Sequence, residues 1–118
     1  MVDDLYREII LEHYKNPENM GVLEGGIEME EVNALCGDKL KIGVKIKNGI
    51  IKEAKFRGGG CAISMAAVDI LLGMVIGKKL SEVKKMSGHE IEEAMGVELT
   101  SSRKKCAYLG LEVLKKIK

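Results

Sequence analysis

The 118-residue chain has no tryptophan, one phenylalanine, three tyrosines and a single proline. With aromatics at 3%, a hydrophobic interior has to be built from Ile, Leu, Val, Met and Ala. Charge of one sign is also lacking. Nineteen Lys and Arg oppose eighteen Asp and Glu, a net charge of +1 that gives no reason to expect nucleic acid or an anionic membrane as partner. No apolar run approaches the roughly 18 residues of a membrane span, and no segment reads as a signal peptide. Cysteine is scarce and odd in number, so a closed disulfide framework would leave one of the three thiols over. These absences predict a protein of the reducing cytoplasm, where grouped cysteines point to metal or catalysis. What is present, 46% hydrophobic and 31% charged residues, is the composition of one globular domain over residues 1–118.

The hydrophobic period changes along the chain. Asp3 or Asp4 is placed to cap an opening helix to about Lys15, which Pro17 stops. Residues 27–32 read as a strand. Residues 39–47 alternate, with Leu40, Ile42, Val44 and Ile46 inward and Lys39, Lys41, Lys45 and Lys47 outward. Asn48-Gly49 is a two-residue hairpin turn, and residues 50–56 return as the partner strand. After a loop at Gly58-Gly59-Gly60 the period lengthens to 3.6, and residues 62–76 form a largely buried helix interrupted by Ser64, Asp69 and Gly73. Ser81 caps a short helical turn. Ser87-x-x-Glu90 forms a capping box for a helix ending at Gly96. Thr100, Ser101 or Ser102 caps a last helix whose inward stripe is Cys106, Leu109, Gly110, Val113, Leu114 and Ile117. This order predicts an α+β domain, a small three-stranded antiparallel sheet with helices packed on one face.

Each cysteine falls at an element boundary. Cys36 lies in a turn, in Leu35-Cys36-Gly37-Asp38, close enough to Asp38 for both side chains to reach one ion. Cys61 follows three glycines at the start of a helix, where the macrodipole favours thiolate. Cys106 follows Arg103-Lys104-Lys105. Three thiolates and one aspartate make a four-ligand set, unusual for a site that only holds metal, which normally completes itself with Cys or His. No two cysteines are separated by only two residues, so spacing alone does not identify the site. Cys106 taken singly reads equally well as a small buried hydrophobe. His13 reads as a packed or surface helix residue and His89 as a solvated one. A cysteine-nucleophile enzyme using Cys61 with either histidine lacks an orienting residue and leaves Cys36-Gly37-Asp38 unexplained.

Several motifs together resemble the IscU/NifU-type iron–sulfur cluster assembly scaffolds. They are His13-Tyr14-x-Asn16-Pro17-x-Asn19-x-Gly21, Cys36-Gly37-Asp38, Gly49-Ile50-Ile51 with Ala54-x-Phe56, Gly60-Cys61-Ala62-Ile63-Ser64, Gly77-Lys78-x-Leu80 and Lys105-Cys106-Ala107. The resemblance spans almost the whole chain. It implies an IscU/SufE-like fold and a non-enzymatic scaffold. On it a [2Fe-2S] cluster is built from iron and sulfur supplied by a cysteine desulfurase, then passed to recipient apo-proteins. It implies Cys36, Asp38, Cys61 and Cys106 as ligands, and a monomer or homodimer. Lys105, where many members have His, and the Gly60–Ser64 motif are similar to the SufU-type branch, which implies the alternative of a zinc-bound sulfur acceptor. The insertion that this branch carries between its second and third cysteines has no room here. The Leu-Pro-Pro-Val-Lys motif that recruits a dedicated chaperone is replaced by Leu99-Thr100-Ser101-Ser102-Arg103. Sulfur acceptance is expected at Cys106, on the exposed start of its helix, with Cys36 as competitor.

Overall fold

A computed structural model describes residues 4–32, 39–60, 62–96 and 99–117. The order is α1 (Asp4–Lys15), β1 (Ile27–Val32), β2 (Lys39–Lys47), β3 (Ile50–Gly59), α2 (Ala62–Val75), α3 (Leu80–Val83), α4 (Gly88–Met95) and α5 (Ser101–Lys115). The strands form one antiparallel sheet in the order β1-β2-β3. The expected α+β architecture is therefore present.

Alternation in β2 decides which side of the sheet is core. Leu40, Ile42 and Val44 are fully buried, as are Ala54 and Phe56 of β3, and α2 and α5 pack over them. The lysines face outward beside glutamates: Lys39–Glu30 at 3.5 Å, Lys41–Glu28 at 3.3 Å and Lys45–Glu53 at 3.4 Å. Asn48 and Gly49 both take positive φ, 54° and 77°, as the hairpin turn requires. The free edge of β3 is occupied by the segment after α1: Phe56 N donates to Asn19 O and Gly21 N to Phe56 O, each at 2.8 Å.

Three expectations at element ends held. Helix α1 stops two residues before Pro17. The Ser87–Glu90 capping box is complete, and α4 closes on Gly96 at φ 74°. Thr100 caps α5 by accepting from Arg103 N. Two details differ. Strand β3 runs on through Gly58 and Gly59, which pair with Leu40 and Lys39. At Gly58 φ is +152° and a Cβ would lie 2.0 Å from Lys39 O, so the first glycine of the three is there to let two strands close up. Ser81 does not cap α3. The helix begins at Leu80, whose N–H donates to Gly49 O at 2.8 Å, so the hairpin turn satisfies that helix start.

Candidate functional site

At one end of the sheet Val32 pairs with Lys39, and Lys39 with Gly59. Residues 33–38 link the first two, and residue 61 follows two places after the third. Cys36, Asp38 and Cys61 themselves lie outside the described residues. Among the described residues no group of three His, Cys, Asp or Glu side chains could hold a metal ion.

Cys106 is the described member of the four-residue set. It lies on the inward face of α5 and is 8% exposed. Gly110 is one turn further on, about 6 Å along the axis and on nearly the same face. A Cβ at Gly110 would meet Val68 Cγ2 at 3.1 Å, Leu71 Cδ2 at 3.2 Å and Leu40 Cδ2 at 3.6 Å. The missing side chain thus lets α5 press onto α2 and onto the first inward residue of β2. Leu40 pairs with Glu31 on one side and Gly58 on the other, and Lys116, just past α5, forms an ion pair with Glu31. Helix α5 therefore lies across the same end of the sheet that the segments bearing Cys36, Asp38 and Cys61 adjoin. Arg103, Lys104 and Lys105 are exposed, as expected, but the Cys106 thiol is buried.

Two buried carboxylates, Glu92 and Asp69, have partners that the sequence did not reveal. Glu92 of α4, 7% exposed, accepts a hydrogen bond from the Tyr108 hydroxyl, and its other oxygen accepts from Leu99 N at 3.4 Å. Lys104 Nζ stands 3.9 Å from the same carboxylate. The Tyr108 hydrogen bond outweighs burial and holds the Glu92 carboxyl below its ordinary value. Burial, then the bond to Glu92, pushes Tyr108 up to about 12. The second carboxylate is Asp69 of α2, 1% exposed. It accepts from Asn19 N at 2.9 Å and Asn19 Nδ2 at 3.2 Å, and its other oxygen lies 2.5 Å from His13 Nδ1. His13 is thus a packing residue with a specific partner. His89 is exposed, with Nε2 2.9 Å from Glu93 Oε1, in keeping with the reading of it as solvated.

The family described as "NifU-like N terminal domain" matches residues 5–117. The zinc-dependent sulfurtransferase SufU of Bacillus subtilis is 36% identical over 132 positions, covering 98% of this chain and 90% of that protein. Because the alignment is longer than the 118 residues here, SufU carries residues that this chain lacks. The iron–sulfur cluster assembly scaffold protein IscU of Aquifex aeolicus is 33% identical, covering 92% of this chain and 71% of that protein. A crystal structure from Fervidobacterium islandicum, named FiSufU, superposes with a TM-score of 0.81 at 26% identity, covering 92% of each chain.

Proposed function

Because the chain belongs to the NifU-like N-terminal domain family, we propose that it is a single-domain scaffold and carrier in iron–sulfur cluster assembly, with a [2Fe-2S] cluster as its cargo. Cys36, Cys61, Cys106 and Asp38 hold the cargo, a cysteine desulfurase supplies its sulfur, and apo-proteins receive it in the cytoplasm. The observation that carries this reading is the seating of α5. It buries Cys106 at the sheet end that the segments with the other three residues adjoin.

The donor chemistry fits. Thiolates suit iron–sulfur clusters, whereas a carboxylate is a harder ligand that gives up iron more readily. Asp38 would be the exchangeable contact and the cysteines the retaining ones. Burial excludes water from Cys106 and makes it a poor first acceptor of sulfur, since reactive thiols are partly exposed. We therefore assign the first transfer to Cys36, the competitor, in preference to Cys106.

A second reading, a zinc-bound sulfur acceptor, is favoured by the 36% identity to SufU and by Lys105 before Cys106. Anaerobic reconstitution with iron, sulfide source and desulfurase, followed by visible absorption and metal analysis, separates the two. A stoichiometric [2Fe-2S] spectrum supports the scaffold. Zinc retained throughout, with persulfide on a cysteine and no cluster, supports the sulfur acceptor. Normal metal and cluster binding by the Ser variants of Cys36, Cys61 and Cys106 would overturn both.

A further inference from the structure

The Glu92 carboxylate touches α5 and its lead-in at three points: Leu99 N just before the helix cap, Lys104 in the first turn, and the Tyr108 hydroxyl. Lys104 and Tyr108 are four residues apart and share a face of α5. At about 100° per residue Cys106 lies roughly 160° round the helix from both. The face that carries Cys106 is the one seated through Gly110 against Val68, Leu71 and Leu40. Helix α5 is therefore gripped from behind by Glu92 and from in front by α2 and β2. Space for the rear grip comes from Gly88 of α4, where a Cβ would lie 2.4 Å from the Tyr108 ring. An ionised acceptor and a neutral phenol donor make this a charge-assisted bond, stronger than one between neutral groups.

We propose that Glu92 and Tyr108 are positioning residues for Cys106: their hydrogen bond fixes the roll of α5 and so presents the thiol in one orientation at the proposed site. The inference rests on the reading of Cys106 as a ligand, yet its effect is readable in the metal-free protein. Without the clamp α5 rolls and the buried thiol opens to solvent more often.

The test is alkylation of Cys106 by iodoacetamide in the metal-free chain, followed by peptide mass spectrometry. Tyr108→Phe removes only the hydroxyl, and Glu92→Gln keeps the size of the side chain. The control is Ile51→Val, a core change of similar cost in the half of β3 near the hairpin turn, where Ile51 pairs with Ile46. Losing a hydrogen bond to a charged group should raise local opening, and with it alkylation, about tenfold in Tyr108→Phe. In Ile51→Val the rate should stay at the parent value. Cobalt(II) bound to the chain supplies a second readout, since its thiolate charge-transfer absorption should weaken in Tyr108→Phe and not in the control. Equal alkylation rates in Tyr108→Phe and Ile51→Val at matched melting temperature would overturn the proposal and leave the contact as general stability. Should Glu92→Gln fail to fold, Tyr108→Phe still decides. Full metal binding by Cys106→Ser would sink the ligand reading instead, while the alkylation comparison would still report on the clamp.

Discussion

Asp69 sits in the middle of the most apolar helix of the chain and is almost fully buried, with Asn19 and His13 supplying its hydrogen-bond donors. One carboxylate thereby ties α2 to the end of α1 and to the segment that runs along β3. Asp69→Ala leaves those part-buried donors without their acceptor, and a loss of about 2 kcal/mol is expected in urea unfolding; a loss under about 1 kcal/mol would mean that water replaces the carboxylate. The Glu92–Tyr108 pair makes a pH prediction with a definite sign. Tyr108 is raised from 10.0 to about 12 in the fold, so its contribution is complete below pH 10 and falls as pH rises toward about 12. Glu92 is lowered from 4.5, so its contribution is complete above that value and is lost as pH falls through the folded value. Tyr108→Phe should flatten the decline above pH 10 and soften the acid limb. Superimposable stability profiles for parent and variant would contradict this.

At the scale of elements, β3 carries Gly58 near its end because β2 comes too close there for anything larger. Gly58→Ala places a methyl against Lys39 O at a backbone angle that L residues rarely adopt. A loss of about 2 kcal/mol or more is expected in thermal unfolding. Weaker metal binding should accompany it, because the change falls where β2 and β3 lead to Asp38 and Cys61. Gly59→Ala, with open space around it, should be mild by comparison. The hairpin, the capping box, the cap at Thr100 and the inward stripe of α5 were legible in sequence because each is a local pattern of turn chemistry or periodicity. The extension of β3 was not, since glycine is a poor strand former and only the partner strand reveals why it is there. The start of α3 was misread for a related reason. A serine is the usual local cap, but here the acceptor is Gly49 O, some thirty residues back. Glu92–Tyr108 and Asp69–Asn19 were hidden by separation, 16 and 50 residues. The candidate ligands showed the opposite balance. Residue type and motif singled out all four as candidates, whereas the described structure reaches only Cys106.

For the molecule as a whole the proposed task is to hold a metal group and then release it, and Asp38 is where those demands conflict. In a scaffold, Asp38→Ala should leave three thiolates to retain the cluster, lengthen its lifetime and slow transfer to an apo-ferredoxin. In a structural zinc site the same change deletes one of four ligands, lowers metal affinity and depresses the melting temperature. Cluster lifetime and melting temperature measured on one variant therefore point in opposite directions for the two readings.

The placement of α5 also bears on when the protein becomes competent. The residues proposed to bind cargo come from positions 36–38, 61 and 106, and the last arrives on the final described helix, which closes over strands made much earlier. A nascent chain emerging from the ribosome, amino end first, can pair its three strands while still one thiol short. Cargo retention then begins only once the last helix has been synthesised and has docked, so a half-made chain cannot sequester iron that it is unable to deliver.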